Sequence, residues 1–134
     1  MNYWLVKSDP ETYDWAEFLK DKVTSWDGVR NYAARIHLRA MKKGDHVLFY
    51  HSVIGSGVVG TAIVTKEFYP DPTAEDDTWS SVELKAGKAL KNFVSLKQIK
   101  AEIQLKNMML VKIGRLSVSP VTEEEYKLIL ELGK

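Results

Sequence analysis

Residues 25–31 read S-W-D-G-V-R-N, so a tryptophan, a tight-turn dipeptide, an arginine and an asparagine fall within seven positions. Trp26 either packs in a core or presents its ring at the turn to a flat ligand. In the second case Arg30 and Asn31 are its polar partners. Unpaired nucleic-acid bases are held this way, by stacking on aromatic rings and by hydrogen bonds to their edges. Stacking is worth about 1–3 kcal/mol per base, enough to hold a base only with help from phosphate contacts. Cations for that purpose are close by. Residues 28–44 carry Arg30, Arg35, Arg39, Lys42 and Lys43 and no acid, whereas residues 71–77 carry Asp71, Glu75, Asp76 and Asp77 and no base. A net charge of +1 thus hides a polarised chain, and distribution matters more than the sum.

Other chemistries find less support. The histidines are His37, His46 and His51, and there is no cysteine. His46 and His51 lie five apart on one strand and face opposite ways, so no metal site is expected. His51 and Ser52 are strand neighbours and cannot form a dyad with each other. G-S-G-V-V-G (55–60) has dinucleotide-loop spacing but precedes a strand, where a helix is required. It reads as a turn plus a strand glycine at Gly60, where a bulge or a close approach of another chain is natural. No cofactor is expected.

These residues need a scaffold. Residues 3–7, 46–52, 58–65, 79–85 and 109–113 read as strands, with a hairpin across Gly55-Ser56-Gly57. Capping boxes begin helices at Asp14/Glu17, Ser95/Gln98 and Thr122/Glu125. A longer helix spans 29–42 and is stopped by Gly44. Val29, Ala33, Ile36 and Ala40 share one of its faces, and Ala34, Leu38 and Met41 another. Arg35, Arg39 and Lys42, with Tyr32 and Lys43 at the edge, share a third arc of roughly 100°. Two buried sides and one basic stripe are expected. The 134 residues suffice for one domain, 1–134, of α+β class with a curved sheet or small barrel. No apolar run is long enough to span a membrane. The N-terminus lacks signal-peptide features and cysteine is absent, so a cytoplasmic, prokaryotic setting is expected.

Seven ordered stretches carry a resemblance: W-L-V-K-S-D-P, S-W-D-G-V-R-N-Y-A-A-R, L-R-A-M-K-K-G-D, F-Y-H-S, G-V-V-G-T-A, Y-P-D-P-T-A and R-L-S-V-S-P-V-T. Together they resemble the EVE domain family of the PUA-like superfamily, whose relatives include YTH and ASCH domains. The resemblance covers nearly the whole chain. It implies a strongly curved, mostly antiparallel β-barrel flanked by short helices. It also implies a pocket for a modified base, a modified cytosine in DNA or, in relatives, a methylated adenine in RNA. Carried over by motif, the pocket is lined by Trp26, by Lys7 and Ser8, and by Tyr50, His51 and Ser52. Arg115 and Ser117 form its polar rim. Trp79 resembles, more loosely, a second cage aromatic. Arg30 and Asn31 either bind the ligand or hold the turn. The chain departs from the common family pattern at Asp9, at Ala33, Ala34 and Ile36, and in a short segment between Ala74 and Trp79.

The reading is a binding module for DNA or RNA bearing a modified base, not an enzyme. The base stacks on Trp26, while Ser8, Ser52 and main-chain groups near Asp27 read its edge. Arg30, Arg35, Arg39, Lys42 and Arg115 hold phosphates. Two rivals are a nucleotide-acting enzyme using His51 as general acid or base and a small-metabolite or protein-interaction module.

Overall fold

A computed structural model describes residues 1–53 and 55–134. Its strands are β1 (Tyr3–Ser8), β2 (Val23–Trp26), β3 (His46–His51), β4 (Gly57–Pro70), β5 (Ser80–Ser95) and β6 (Val118–Val121). Its helices are α1 (Trp15–Asp21), α2 (Tyr32–Ala40), α3 (Leu96–Ala101), α4 (Met109–Lys112) and α5 (Glu123–Leu132), with a 3₁₀ turn at Ile103–Leu105. The strands form one mixed sheet in the order β2-β5-β4-β3-β1-β6. Among the described residues only β1 and β3 run parallel, and the other neighbouring pairs are antiparallel.

Side chains alternate across the pleat and divide the interior in two. All six strands send residues to one cluster, among them Trp4, Trp26, Phe49, Val64, Leu84 and Val118. A flat sheet of six strands cannot converge on a single cluster, so the sheet is wrapped. Trp15 and Phe18 of α1 and Ala34 and Leu38 of α2 fill its concave side. The other face packs a second cluster, in which Leu5, Leu48, Tyr50 and Val94 meet Ile99, Leu110 and Ile129.

Bulges help the wrapping. The β4–β5 register shifts repeatedly, including on both sides of Gly60. A Cβ on Gly60 would lie 2.5 Å from the Trp15 ring, so the strand glycine marks the close approach expected of it.

Wrapping stops short of closure. Among the described residues no pairing joins edge strand β2 to edge strand β6, so the barrel expected from the resemblance is an open, curved sheet. The three capping boxes are present as read. Residues 109–113, expected as a strand, instead form the one-turn helix α4, with Leu110 directed into the second cluster. The longer helix starts at Tyr32 rather than 29 and buries one face only: Ala34 and Leu38 are buried while Ile36 is 63% exposed. No helix among the described residues is long and apolar enough to cross a membrane.

Candidate nucleic-acid base site

The seam left open by the sheet is a cavity of about 520 Å³, within the range typical of small-ligand sites. One wall is β2 with the turn that follows it: Thr24, Ser25, Trp26, Asp27 and Gly28, then Val29 and Arg30. The opposite wall is the end of β1, with Lys7, Ser8 and Asp9, joined by Ser117 just before β6. Thr12 and Tyr13 from the β1–α1 connection complete it. Lys7 N–H donates to Ser117 O at 2.9 Å, which locks that second wall.

Trp26 answers both readings of its type at once. It is 8% exposed and belongs to the main core, with its ring edge-on to Phe49 (5.6 Å) and Tyr13 (6.3 Å). It also lines the cavity. A ring fixed by aromatic neighbours loses little entropy when a second ring lies against it.

The main chain beside it carries unused hydrogen-bonding groups. Ala86 N–H donates to Lys22 O, and the register pairs Thr24 with Leu84 and Trp26 with Val82. Residues in an antiparallel ladder alternate between bonding the partner strand and pointing away from it. Ser25 is in the second set, so its amide and carbonyl point into the seam. Its hydroxyl is 2.6 Å from the Tyr69 hydroxyl.

Electrostatics at the mouth centre on Asp71. Its buried carboxylate accepts from Gly28 N–H (2.8 Å), Arg30 Nη1 (2.8 Å), and the amide and hydroxyl of Thr73 (2.7 Å each). Burial pushes this carboxyl up, but the bonds from Thr73, Arg30 and Gly28 outweigh it and hold the pKa at about 2. The turn behind Trp26 is therefore tied to the loop that follows β4. Gly28 sits at φ +78°, a conformation glycine adopts without penalty. Burial and the Asp71 charge raise the Asp27 carboxyl, against Arg30. Burial lowers the Lys7 ammonium.

Several expected site residues lie elsewhere. Tyr50 faces the second cluster, because Val47 and Phe49 take the inward positions of β3. His51 Nε2 accepts the Trp15 amide at 3.1 Å and, with Ser52, lies outside the cavity lining. Ser52 meets this region only through its amide, which donates to Ser8 O. Asn31 is the N-cap of α2, its carbonyl accepting from Ala34 N–H at 2.9 Å, so it holds the turn rather than lining the cavity. Ser8 does line the cavity, but its hydroxyl donates to Tyr13 O. Trp79 lies tilted against Tyr32, with ring centroids 5.1 Å apart, outside the cavity.

The basic stripe is not free either. Arg35 Nη1 and Arg39 Nη2 both donate to Thr78 O (2.8 and 3.0 Å), and Arg39 Nε donates to Ser80 Oγ (2.9 Å). Arg30 pairs with Asp71, and Lys42 lies 3.8 Å from Glu67. The basic helix and the acidic loop, which polarise the sequence, fold against each other. Arg115 is exposed two residues before Ser117.

Tyr13, Thr12, Thr24, Ser25 and Val29 line the cavity without having been singled out from sequence. Tyr13 had a readable signal. It precedes the Asp14 cap and packs on Phe18 at 6.2 Å, a staple from N′ to N4. Its hydroxyl donates to Asp21 at 2.8 Å, and burial together with that carboxylate pushes its pKa up to about 12.

Comparison with known proteins places this geometry. The EVE domain model matches residues 2–132. Thymocyte nuclear protein 1 of Mus musculus is 38% identical, the match covering 98% of this chain and 73% of that protein. A crystal structure of a protein from Agrobacterium tumefaciens is 45% identical, with TM-score 0.95 over 99% of this chain and 93% of that one. Human THYN1 protein in complex with 5-methylcytosine-containing DNA is 34% identical, with TM-score 0.92 over 100% and 98% of the two chains. A YTH domain of Zygosaccharomyces rouxii, at 15% identity and TM-score 0.63 over 99% and 86%, shares the fold. An α+β, PUA-like architecture, a matching family model over almost the full length and relatives above 30% identity agree: the chain belongs to the EVE domain family.

Proposed function

We propose that this protein is a nucleic-acid-binding module that takes a modified base, a modified cytosine in DNA, into the open seam beside Trp26. The observation that carries the reading is the conjunction of Trp26, the outward main chain of Ser25 and the Asp27 carboxylate around one cavity of about 520 Å³. The relative bound to 5-methylcytosine-containing DNA supports the choice of ligand. An aromatic ring supplies stacking, an amide and a carbonyl supply one donor and one acceptor, and a carboxylate accepts from an exocyclic amine such as cytosine N4. Reaching the seam requires an unpaired or flipped base, because a stacked base exposes only its edge.

The reading makes the protein a binding module, not an enzyme. His51 spends its Nε2 lone pair on the Trp15 amide, which leaves it no role as a base. A cytoplasmic location remains part of the reading, supported by the absence of cysteine.

The test is binding of short single-stranded oligonucleotides with one 5-methylcytosine or one cytosine, at fixed salt. One buried methyl is worth about 0.8 kcal/mol, so the preference for the methylated strand is about fourfold. Trp26→Phe retains a ring in the core and weakens binding several-fold. Trp26→Ala loses about 1–3 kcal/mol of stacking, with a melting curve run alongside to register the core loss. Unchanged affinity in both folded variants would overturn the proposal.

A further inference from the structure

Arg30 is paired with Asp71, and Arg35 and Arg39 of α2 are held on Thr78 O; the remaining charge is unevenly placed. Residues 85–115 hold Lys85, Lys88, Lys91, Lys97, Lys100, Lys106, Lys112 and Arg115 against the single acid Glu102. The rest of the chain carries eleven cations and seventeen acids. All eight of these cations are exposed, and the ion pairs found among the described residues involve none of them.

This segment runs along β5, through α3 and α4, and ends at the cavity. Lys7, on the cavity wall, donates from Nζ to Gly114 O at 2.6 Å. That Nζ lies over the Tyr50 ring, on the second-cluster face, so Gly114 is beside the end of β1, between Lys112 and Arg115, and three residues on Ser117 is part of the lining. We infer that the phosphate-binding surface of this protein is the lysine-rich segment 85–115, entered at Lys112 and Arg115, and that its ligand is a DNA backbone leaving the seam on the β6 side. The inference rests on the base-binding reading for the position of the strand but not for the electrostatics. A surface of exposed, uncompensated cations attracts a polyanion whatever its sequence, by releasing condensed counterions. The cations on and beside α2 are less available: Arg30 and Lys42 are paired with Asp71 and Glu67, and the Arg35 and Arg39 guanidinium groups are held on Thr78 O.

The experiment measures affinity for an unmodified DNA duplex over a range of salt concentrations. Each lost phosphate contact reduces the slope of log K against log salt by about 0.9. Lys112→Gln with Arg115→Gln is expected to reduce it by about 1.8, and Lys97→Gln with Lys100→Gln to reduce it further when combined. Lys42→Gln, at a cation already paired with Glu67, is expected to leave it at the wild-type value. All these positions are exposed, and melting curves verify folding. A slope that falls for Lys42→Gln and not for the 112/115 pair overturns the inference, as does a wild type with no salt dependence. Failure of the base reading is read separately, as a wild type that does not distinguish 5-methylcytosine from cytosine while retaining a salt-dependent slope.

Discussion

Asp71→Asn tests how the site is held. The wild-type carboxylate has one oxygen on Gly28 N–H and Arg30, and the other on the Thr73 amide and hydroxyl. An asparagine has one acceptor oxygen only, so its NH₂ must face a donor on one side or the other. The side chain is fully buried, so the conflict is not relieved by water. The magnitude follows from linkage. A carboxyl lowered from 3.8 to about 2 contributes about 2.5 kcal/mol of stability at neutral pH. The sign is that of a depressed acid. The contribution is complete above the unfolded-state pKa near 4, falls to about half near pH 3, and vanishes below the folded-state value. Urea unfolding of wild type and Asp71→Asn between pH 7 and pH 3 measures it. The variant is expected to be less stable by about 2–3 kcal/mol at pH 7, with the gap narrowing below pH 4. A difference under about 0.5 kcal/mol at pH 7, the size of an ordinary surface substitution, would refute the reasoning. So would a gap that does not change with pH. Because Gly28 and Arg30 form the wall beside Trp26, the variant is also expected to bind the modified strand more weakly under conditions where it is folded.

Gly60→Ala puts a Cβ 2.5 Å from the Trp15 ring and should cost about 1–3 kcal/mol by overpacking. Gly114→Ala meets nothing within 4 Å and should be near neutral, so equal thermal shifts for the two would contradict the packing. His51→Ala removes the acceptor of the Trp15 amide and should lower stability by about 1 kcal/mol with no turnover of any nucleotide to lose. Burial lowers the His51 pKa, so the folded state takes up a proton less readily than the unfolded one. The stability it gives is therefore present above pH 6.5 and declines as pH falls through that value. A wild-type His51 that titrates at or above 6.5 by NMR would contradict this.

What the sequence reveals here depends on the range of the interaction. The capping boxes at Asp14, Ser95 and Thr122 are local, and all three are read directly from residue spacing. Gly60 is legible because a glycine inside a strand already implies a neighbour that needs the space. β2 is not, since four residues of V-T-S-W become a strand only through β5, roughly sixty positions later. The second half of β5 is hidden by Gly87 and Asn92, which read as breakers but are accommodated by the bulged pairing with β4. M-L-V-K-I has strand propensity yet forms a helical turn, in which the adjacent residues Leu110 and Val111 both pack on the second cluster, as strand alternation would not allow. Trp26 and Asp27 are placed at the cavity as their turn suggests. Tyr50, Asn31 and Trp79 are not, because strand parity, a helix cap and a tilted contact with Tyr32 place them elsewhere. The charge pattern is the hardest to read. The cations of 30–43 and the acids of 71–77 stand out as opposite runs about forty residues apart, and only the fold reveals that Arg30 pairs with Asp71 while Arg35 and Arg39 are held on Thr78 O.

The central claim is that the gap between β2 and β6 receives the base. It is tested most directly by following amide and indole resonances while a single-stranded oligonucleotide with one 5-methylcytosine is added. The account predicts that the largest shifts fall on Ser25, Trp26, Asp27 and Ser117, and that they saturate at one strand per protein. Shifts concentrated instead at the second hollow, between Tyr3 and Glu123, or an undisturbed Trp26 indole at saturation, would contradict it.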